Sequence, residues 1–156
     1  FFEGLTRVPL IWSWPGHIPA GVQSDALVEL LDIAPALLEF AGLPVPEVMQ
    51  GRSLRPMLTG EASPDHHRDF VRCEYYDAIN EPHHSYATMY RDRRYKLNVY
   101  HDIDFGELYD LVEDPHEFDS RWDDPECQAV KTELLLKSFD ATVKAAVPRM
   151  PRIAQY

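Results

Sequence analysis

Between Phe70 and Leu111 the chain breaks into short runs of apolar and polar residues separated by polar turns. Phe70–Tyr76 reads as a strand, and 77–85 as a loop. Tyr86–Tyr90 and Tyr95–Tyr100 flank the polar turn Arg91-Asp92-Arg93-Arg94, which predicts a hairpin. Glu107–Leu111 is a further strand. The period then changes. A long helix is predicted to start near Asp123 or Asp124, with Pro125 at its first position and Glu126 behind it, both favoured there. Its expected apolar face is Val130, Leu134, Leu135, Phe139 and Val143, and Pro148 stops it. Antiparallel strands under one amphipathic helix make a small α+β unit.

The first sixty residues follow a different pattern. Val8–Trp14 is an apolar run closed by Pro15-Gly16, the signature of a buried strand leaving into a turn. Asp32 is a candidate N-cap, Pro35 falls in the first helical turn, and Gly42 closes that helix. Ile33, Leu37, Leu38, Phe40 and Ala41 give it an apolar stripe that needs a large partner. A Pro-rich connector follows, with a helix of one or two turns capped by Ser53 and stopped by Gly60. The polar stretch Glu61–Arg68 marks the best internal boundary. A single buried strand cannot form a sheet. Residues 1–62 are therefore read as the end of a larger α/β domain, and 63–156 as a small antiparallel-sheet and helix subdomain.

Composition narrows the choice of partner. Of the 156 residues, 26 are Asp or Glu and 15 are Lys or Arg, a balance that repels nucleic-acid phosphates. No apolar run approaches the ~20 residues of a membrane span. Two cysteines, Cys73 and Cys127, are too few for a disulfide framework, and neither sits in a metal or redox spacing. The chain opens on Phe1 and not on Met, so we expect a piece of a longer protein.

Several motifs in order carry a resemblance. Phe2-Glu3-Gly4 with Arg7-Val8-Pro9-Leu10-Ile11 looks like a sulfatase segment, and Trp14-Pro15-Gly16 with Ile18-Pro19-Ala20-Gly21 resembles the turn after it. Leu30 to Gly42 resembles the family's Asp-X-X-Pro-Thr-Leu-Leu helix, with Ala36 where Thr is usual, and Gly51-Arg52-Ser53-Leu54 continues it. Met89-Tyr90-Arg91 with Tyr95-Lys96-Leu97 resembles a late hairpin. Glu107-Leu108-Tyr109-Asp110-Leu111 with Asp114-Pro115 and Glu117 resembles a closing strand and turn. The chain is thus similar to the C-terminal segment of a sulfatase of the alkaline-phosphatase superfamily.

That resemblance implies hydrolysis of sulfate esters by a parent protein that uses a formylglycine nucleophile and a calcium ion. It also implies that the machinery lies before Phe1. Neither cysteine begins the family's Cys/Ser-X-Pro-X-Arg motif. Ser13-Trp14-Pro15-Gly16-His17 has the spacing but carries His17 in place of Arg. The family's active-site Lys would fall just upstream of the Glu-Gly segment. No catalytic or metal role is therefore assigned within this chain, which alone is expected to be inactive.

Tyr75, Tyr76, His83 and His84 flank the first loop of the small sheet, which in sulfatases often faces the pocket mouth. They are candidates to contact the alcohol part of the substrate, a sulfated small molecule or sugar. His66-His67 and His83-His84 do not make a convincing zinc site, because adjacent residues on a strand face opposite ways. Asp102, Asp104 and Glu113 imitate a calcium loop, but Glu107 stands where the sharp turn needs Gly. Arg149 and Arg152 balance an acidic surface, and Glu3 with Arg7 fits an ion pair. The expected partner is the N-terminal catalytic part of the same protein, with a homo-oligomer possible through exposed faces. Two alternatives remain open: a phosphonate or phosphodiester hydrolase of the same superfamily, and a non-catalytic binding module.

Overall fold

A computed structural model describes residues 1–77 and 85–146. Two compact units emerge, Phe1–Leu10 with Asp69–Asp140, and Ile11–Arg68 with the chain from Ala141.

The first unit opens with one helical turn, α1 (Glu3–Thr6), and is built on a four-stranded antiparallel sheet in the order β1-β2-β3-β4: Val71–Tyr76, Tyr86–Arg91, Tyr95–Tyr100 and Phe105–Asp110. These lie within a residue or two of the predicted strands, because the turn residues punctuate them. Asp92 forms the hairpin turn, its carboxylate accepting from the Arg94 and Tyr95 amides at 2.9 and 2.7 Å. The register pairs Met89 with Asn98 and Asn98 with Glu107, so these share one face with Arg91, Lys96 and Tyr109. Tyr90, Leu97 and Leu108 lie on the other face, all buried.

That second face takes the long helix. Asp124 caps a 3₁₀ turn, Pro125–Cys127, by accepting from the Glu126 amide at 2.9 Å, and α4 continues as Gln128–Ala146. Lys137 and Glu133 lie close enough to influence the Tyr90 hydroxyl, which sets the helix over this face. The buried stripe is Leu134, Ser138 and Ala141, spaced by four and three. The predicted face was rotated: Phe139 and Val143 are exposed, because the strip that meets the sheet accepts Ser138 between its apolar neighbours. Trp122 fills the remaining corner. Its carbonyl accepts from Gln128 at 3.0 Å and Lys131 at 2.7 Å, and its ring lies where a Gly106 Cβ would stand, 2.3 Å away. Pro148 lies outside the described residues.

In the second unit the expected strand Val8–Trp14, which begins in the first unit, does not form; Val8–Trp14 has no regular structure. An extended apolar segment needs a neighbour to take its backbone hydrogen bonds, and no strand among the described residues pairs with it. The turn after it does form, with the His17 and Ile18 amides donating to the Trp14 carbonyl at 3.0 and 2.9 Å and Gly16 at φ +82°. The helix α2, Ile33–Phe40, follows a 3₁₀ turn at Leu30–Asp32, and Gly42 closes it at φ +70°. Asp32 stands at the N-cap but does not cap α2 with its side chain. Its carboxylate is committed elsewhere. The short helix α3, Arg55–Leu58, has Leu54 at its N-cap position, while the Ser53 hydroxyl accepts from the Arg55 amide at 3.2 Å. Of the apolar stripe predicted for α2, Leu37 and Ala41 are exposed while Ile33, Leu38 and Phe40 are half-buried; Leu30, Leu31 and Leu43 beside the helix are exposed as well.

Candidate functional site

Neighbouring residues on a strand face opposite sides of the sheet, and β1 divides the predicted site accordingly. Tyr75 pairs with Ala87 on the Lys96 face, whereas Tyr76 pairs with Tyr86 on the other and is half exposed. The Tyr76 and Tyr86 rings meet at 6.2 Å. Burial first and the nearby Glu74 carboxylate second hold the Tyr76 hydroxyl above its ordinary range. His83 and His84, like Arg149 and Arg152, lie outside the described residues. The structure therefore does not bring the two tyrosines together on one surface.

Polar groups converge on the Lys96 face instead. The Asn98 amide donates to Glu107 Oε2 at 2.8 Å and the Tyr100 hydroxyl donates to the same oxygen at 3.1 Å. Burial, then the Glu107 charge, push the Tyr100 hydroxyl up to about 12, and the same two causes raise Tyr109. These phenols stay protonated and act as donors.

Beside them is an ionic cluster that binds the first residues of the chain to the sheet. Lys96 is fully buried. Its ammonium donates to Phe1 O at 2.7 Å, Glu117 Oε1 at 2.7 Å and Glu3 Oε1 at 2.8 Å, which uses all three of its protons. Arg91 Nε reaches Glu3 Oε1 at 3.0 Å, and Glu117 Oε2 accepts from the Glu3 amide at 2.6 Å. Burial raises the Glu3 carboxyl, but Lys96 and Arg91 outweigh it and hold the carboxyl below its usual range. Two cations thus face two anions. Sequence reasoning missed Lys96 and Glu117. The available signal was a lysine between Tyr95 and Leu97 in a strand otherwise read as packed.

In the other unit Asp32, fully buried, accepts from the Glu29 and Arg52 amides at 2.8 and 2.7 Å and from Arg68. Arg68 also holds Glu29. Arg52 Nη1 donates to the His67 carbonyl at 2.6 Å. His67 belongs to the polar stretch Glu61–Arg68. It is buried, with Nε2 3.4 Å from Asp32, near enough for attraction without a formed hydrogen bond. Burial lowers its basicity; Asp32 raises it, and Arg68 and Arg52 oppose Asp32. Gly51 lets the backbone pass Leu31, whose carbonyl oxygen lies 1.9 Å from where a Cβ would be, just before the Arg52 amide that donates to Asp32.

Among the described residues no three His, Cys, Asp or Glu side chains are grouped to hold a metal. Cys73 is a strand residue opposite Met89, and Cys127 ends the 3₁₀ turn before α4. The described residues offer aromatic surface, protonated phenols and charge-paired anchors, which suit binding and positioning more than bond cleavage.

The chain is similar to parts of known proteins. Residues 1–144 match the family model described as N-sulphoglucosamine sulphohydrolase, C-terminal. An N-acetylglucosamine-6-O-sulfatase of Bacteroides thetaiotaomicron is 36% identical over 147 residues, covering 92% of this chain and 26% of that protein. Human arylsulfatase K is 32% identical over 124 residues, covering 74% of the chain and 22% of the relative. A solved protein in complex with its substrate D-glucosamine-2-N,6-O-disulfate superposes at TM-score 0.73 and 29% identity, covering 89% of this chain and 29% of that one. A phosphonate monoester hydrolase from Silicibacter pomeroyi gives 0.71 and 26%, covering 84% and 28%. The chain spans about a quarter of the length of the curated relatives it matches. It belongs to the family of sulfatase C-terminal regions described by the N-sulphoglucosamine sulphohydrolase model.

Proposed function

We propose that this chain is the C-terminal part of an enzyme that hydrolyses sulfate esters carried on sugars. The observation that carries this reading is 36% identity to an N-acetylglucosamine-6-O-sulfatase over 92% of the chain. The disulfated glucosamine bound by a solved relative supports a sugar substrate. The N-terminal catalytic part of the same protein is the partner. Residues 1–62 complete its α/β domain, for which the exposed Leu30, Leu31, Leu37 and Leu43 offer an apolar surface, and 63–156 form a subdomain, with Phe1–Leu10 grouped with the subdomain's sheet. Formylglycine and calcium belong to the upstream part. Among the described residues no three His, Cys, Asp or Glu side chains are grouped to hold a calcium ion.

Within this reading one of Tyr75 and Tyr76, with His83 and His84, contacts the alcohol part of the substrate. Aromatic faces suit the apolar side of a pyranose ring. The two tyrosines face opposite sides of β1, so only one of them meets a given sugar.

A second reading, phosphonate or phosphodiester hydrolysis, is favoured by the structural likeness to the phosphonate monoester hydrolase. The test is to incubate the full parent protein with glucosamine 6-sulfate and, in parallel, with an aryl phosphonate monoester. Faster sulfate release supports the first reading. Phosphonate turnover alone moves the assignment to the second. Inertness toward both leaves a non-catalytic module.

A further inference from the structure

We infer that Lys96 is a positioning residue: with Glu117 and Arg91 it clamps the main chain at Phe1–Glu3 and holds in register the segment that leads into Phe1 from the catalytic part of the parent. The inference rests on the reading that the reacting groups precede Phe1.

Three observations point the same way. First, the clamp grips backbone as well as side chain. Lys96 Nζ donates to the Phe1 carbonyl at 2.7 Å, and Glu117 accepts from the Glu3 amide at 2.6 Å. Contacts to main-chain groups fix the path of the chain whichever side chains precede it. Second, the fold accepts an unfavourable backbone to deliver Glu117, whose φ is +60° in a non-glycine residue. The preceding turn is shaped for that purpose: the Glu117 amide donates to the Asp114 carbonyl at 3.2 Å, and the Asp114 carboxylate accepts from the Asp119 amide at 2.9 Å. Third, the sheet does not need these charges. β3 is paired on both sides along its length, and an apolar side chain would fill the Lys96 position without the desolvation of two ion pairs. A balanced cluster in which Lys96 and Glu117 are buried and Glu3 and Arg91 partly so is suited to hold one geometry.

The test uses the full parent enzyme, unsubstituted and as Lys96→Met and Glu117→Gln, with Gly106→Ala as a control that strains the same sheet away from the clamp. Two quantities are read: hydrogen exchange at the Glu3 amide, and kcat and KM per folded molecule. The unsubstituted parent should protect that amide. Both clamp variants should exchange it at least about tenfold faster and lose about tenfold to a hundredfold in kcat with KM nearly unchanged, since small displacements near reacting groups cost this much. Gly106→Ala should keep its kcat. Unchanged kcat in the clamp variants, or an equal loss in Gly106→Ala, overturns the positioning role. If Lys96→Met does not fold, Glu117→Gln decides. If the unsubstituted parent releases no sulfate, the functional reading fails separately, and fast exchange at Glu3 then also overturns the clamp.

Discussion

Asp32 is the side chain whose removal the second unit should tolerate least. It is fully buried and accepts from the Glu29 amide, the Arg52 amide and Arg68. Truncation to Ala leaves two part-buried amides without their acceptor, each worth about 1–3 kcal/mol, and weakens the hold on the Arg68 guanidinium, which keeps Glu29. The combined cost should be about 3–5 kcal/mol, the usual range for breaking a buried charge pair from one side. Hydrogen exchange in the parent protein measures it without assuming that the whole protein unfolds in one step. The probe should be an amide that does not bond Asp32, such as Ala41, which donates to the Leu37 carbonyl at 3.0 Å. At 1.4 kcal/mol per tenfold, Asp32→Ala should speed its exchange by between about a hundredfold and a few thousandfold. Asp32→Ala/Arg68→Met should recover part of the loss, because the unpaired cation goes too. An acceleration below about fivefold would refute the reasoning.

Three more outcomes follow from the same structure. Gly106→Ala should destabilise the sheet by about 1–3 kcal/mol, because the new methyl collides with the Trp122 ring at 2.3 Å; a Gly106→Ala/Trp122→Leu pair should relieve part of this in urea unfolding. His67 is held below its ordinary value of 6.5, so the folded state favours the neutral ring. Its contribution is complete above about 6.5 and is lost as pH falls through the depressed folded value, and His67→Gln should flatten that limb of the stability profile. The 156-residue chain expressed alone should self-associate through its open apolar residues, and Leu31→Ser/Leu37→Ser should shift sedimentation towards the monomer.

How much of this was legible depended on whether the decisive partner was near in sequence. The strands and their turns were readable because Asp92 and the alternation around it act locally. The Val8–Trp14 strand failed because extended structure is completed by a neighbour, and sequence shows only the willingness to pair. The rotation of the α4 face arose from one polar residue, Ser138, accepted into the buried strip. Lys96, Glu117 and Asp32 were missed as anchors since each meets partners from other elements. Asp32 was read for the local task of capping, while its carboxylate is occupied by Arg52 and Arg68, 20 and 36 residues on.

The grip on Phe1 and Glu3 also sets an order of events during synthesis. Lys96 and Glu117 follow the residues they hold by 95 and 114 positions. On a ribosome the opening segment therefore emerges long before its anchors exist, and at ~5–20 residues per second it waits several seconds for them. Through that interval Glu3 is a solvated carboxylate on an unfixed chain. Only when Glu117 leaves the exit tunnel can both ends of the clamp close. The parent thus completes β4 and the turn after it before the segment at Phe1 is fixed, and a nascent chain stalled ahead of Glu117 would carry every upstream residue yet lack the anchor that sets them.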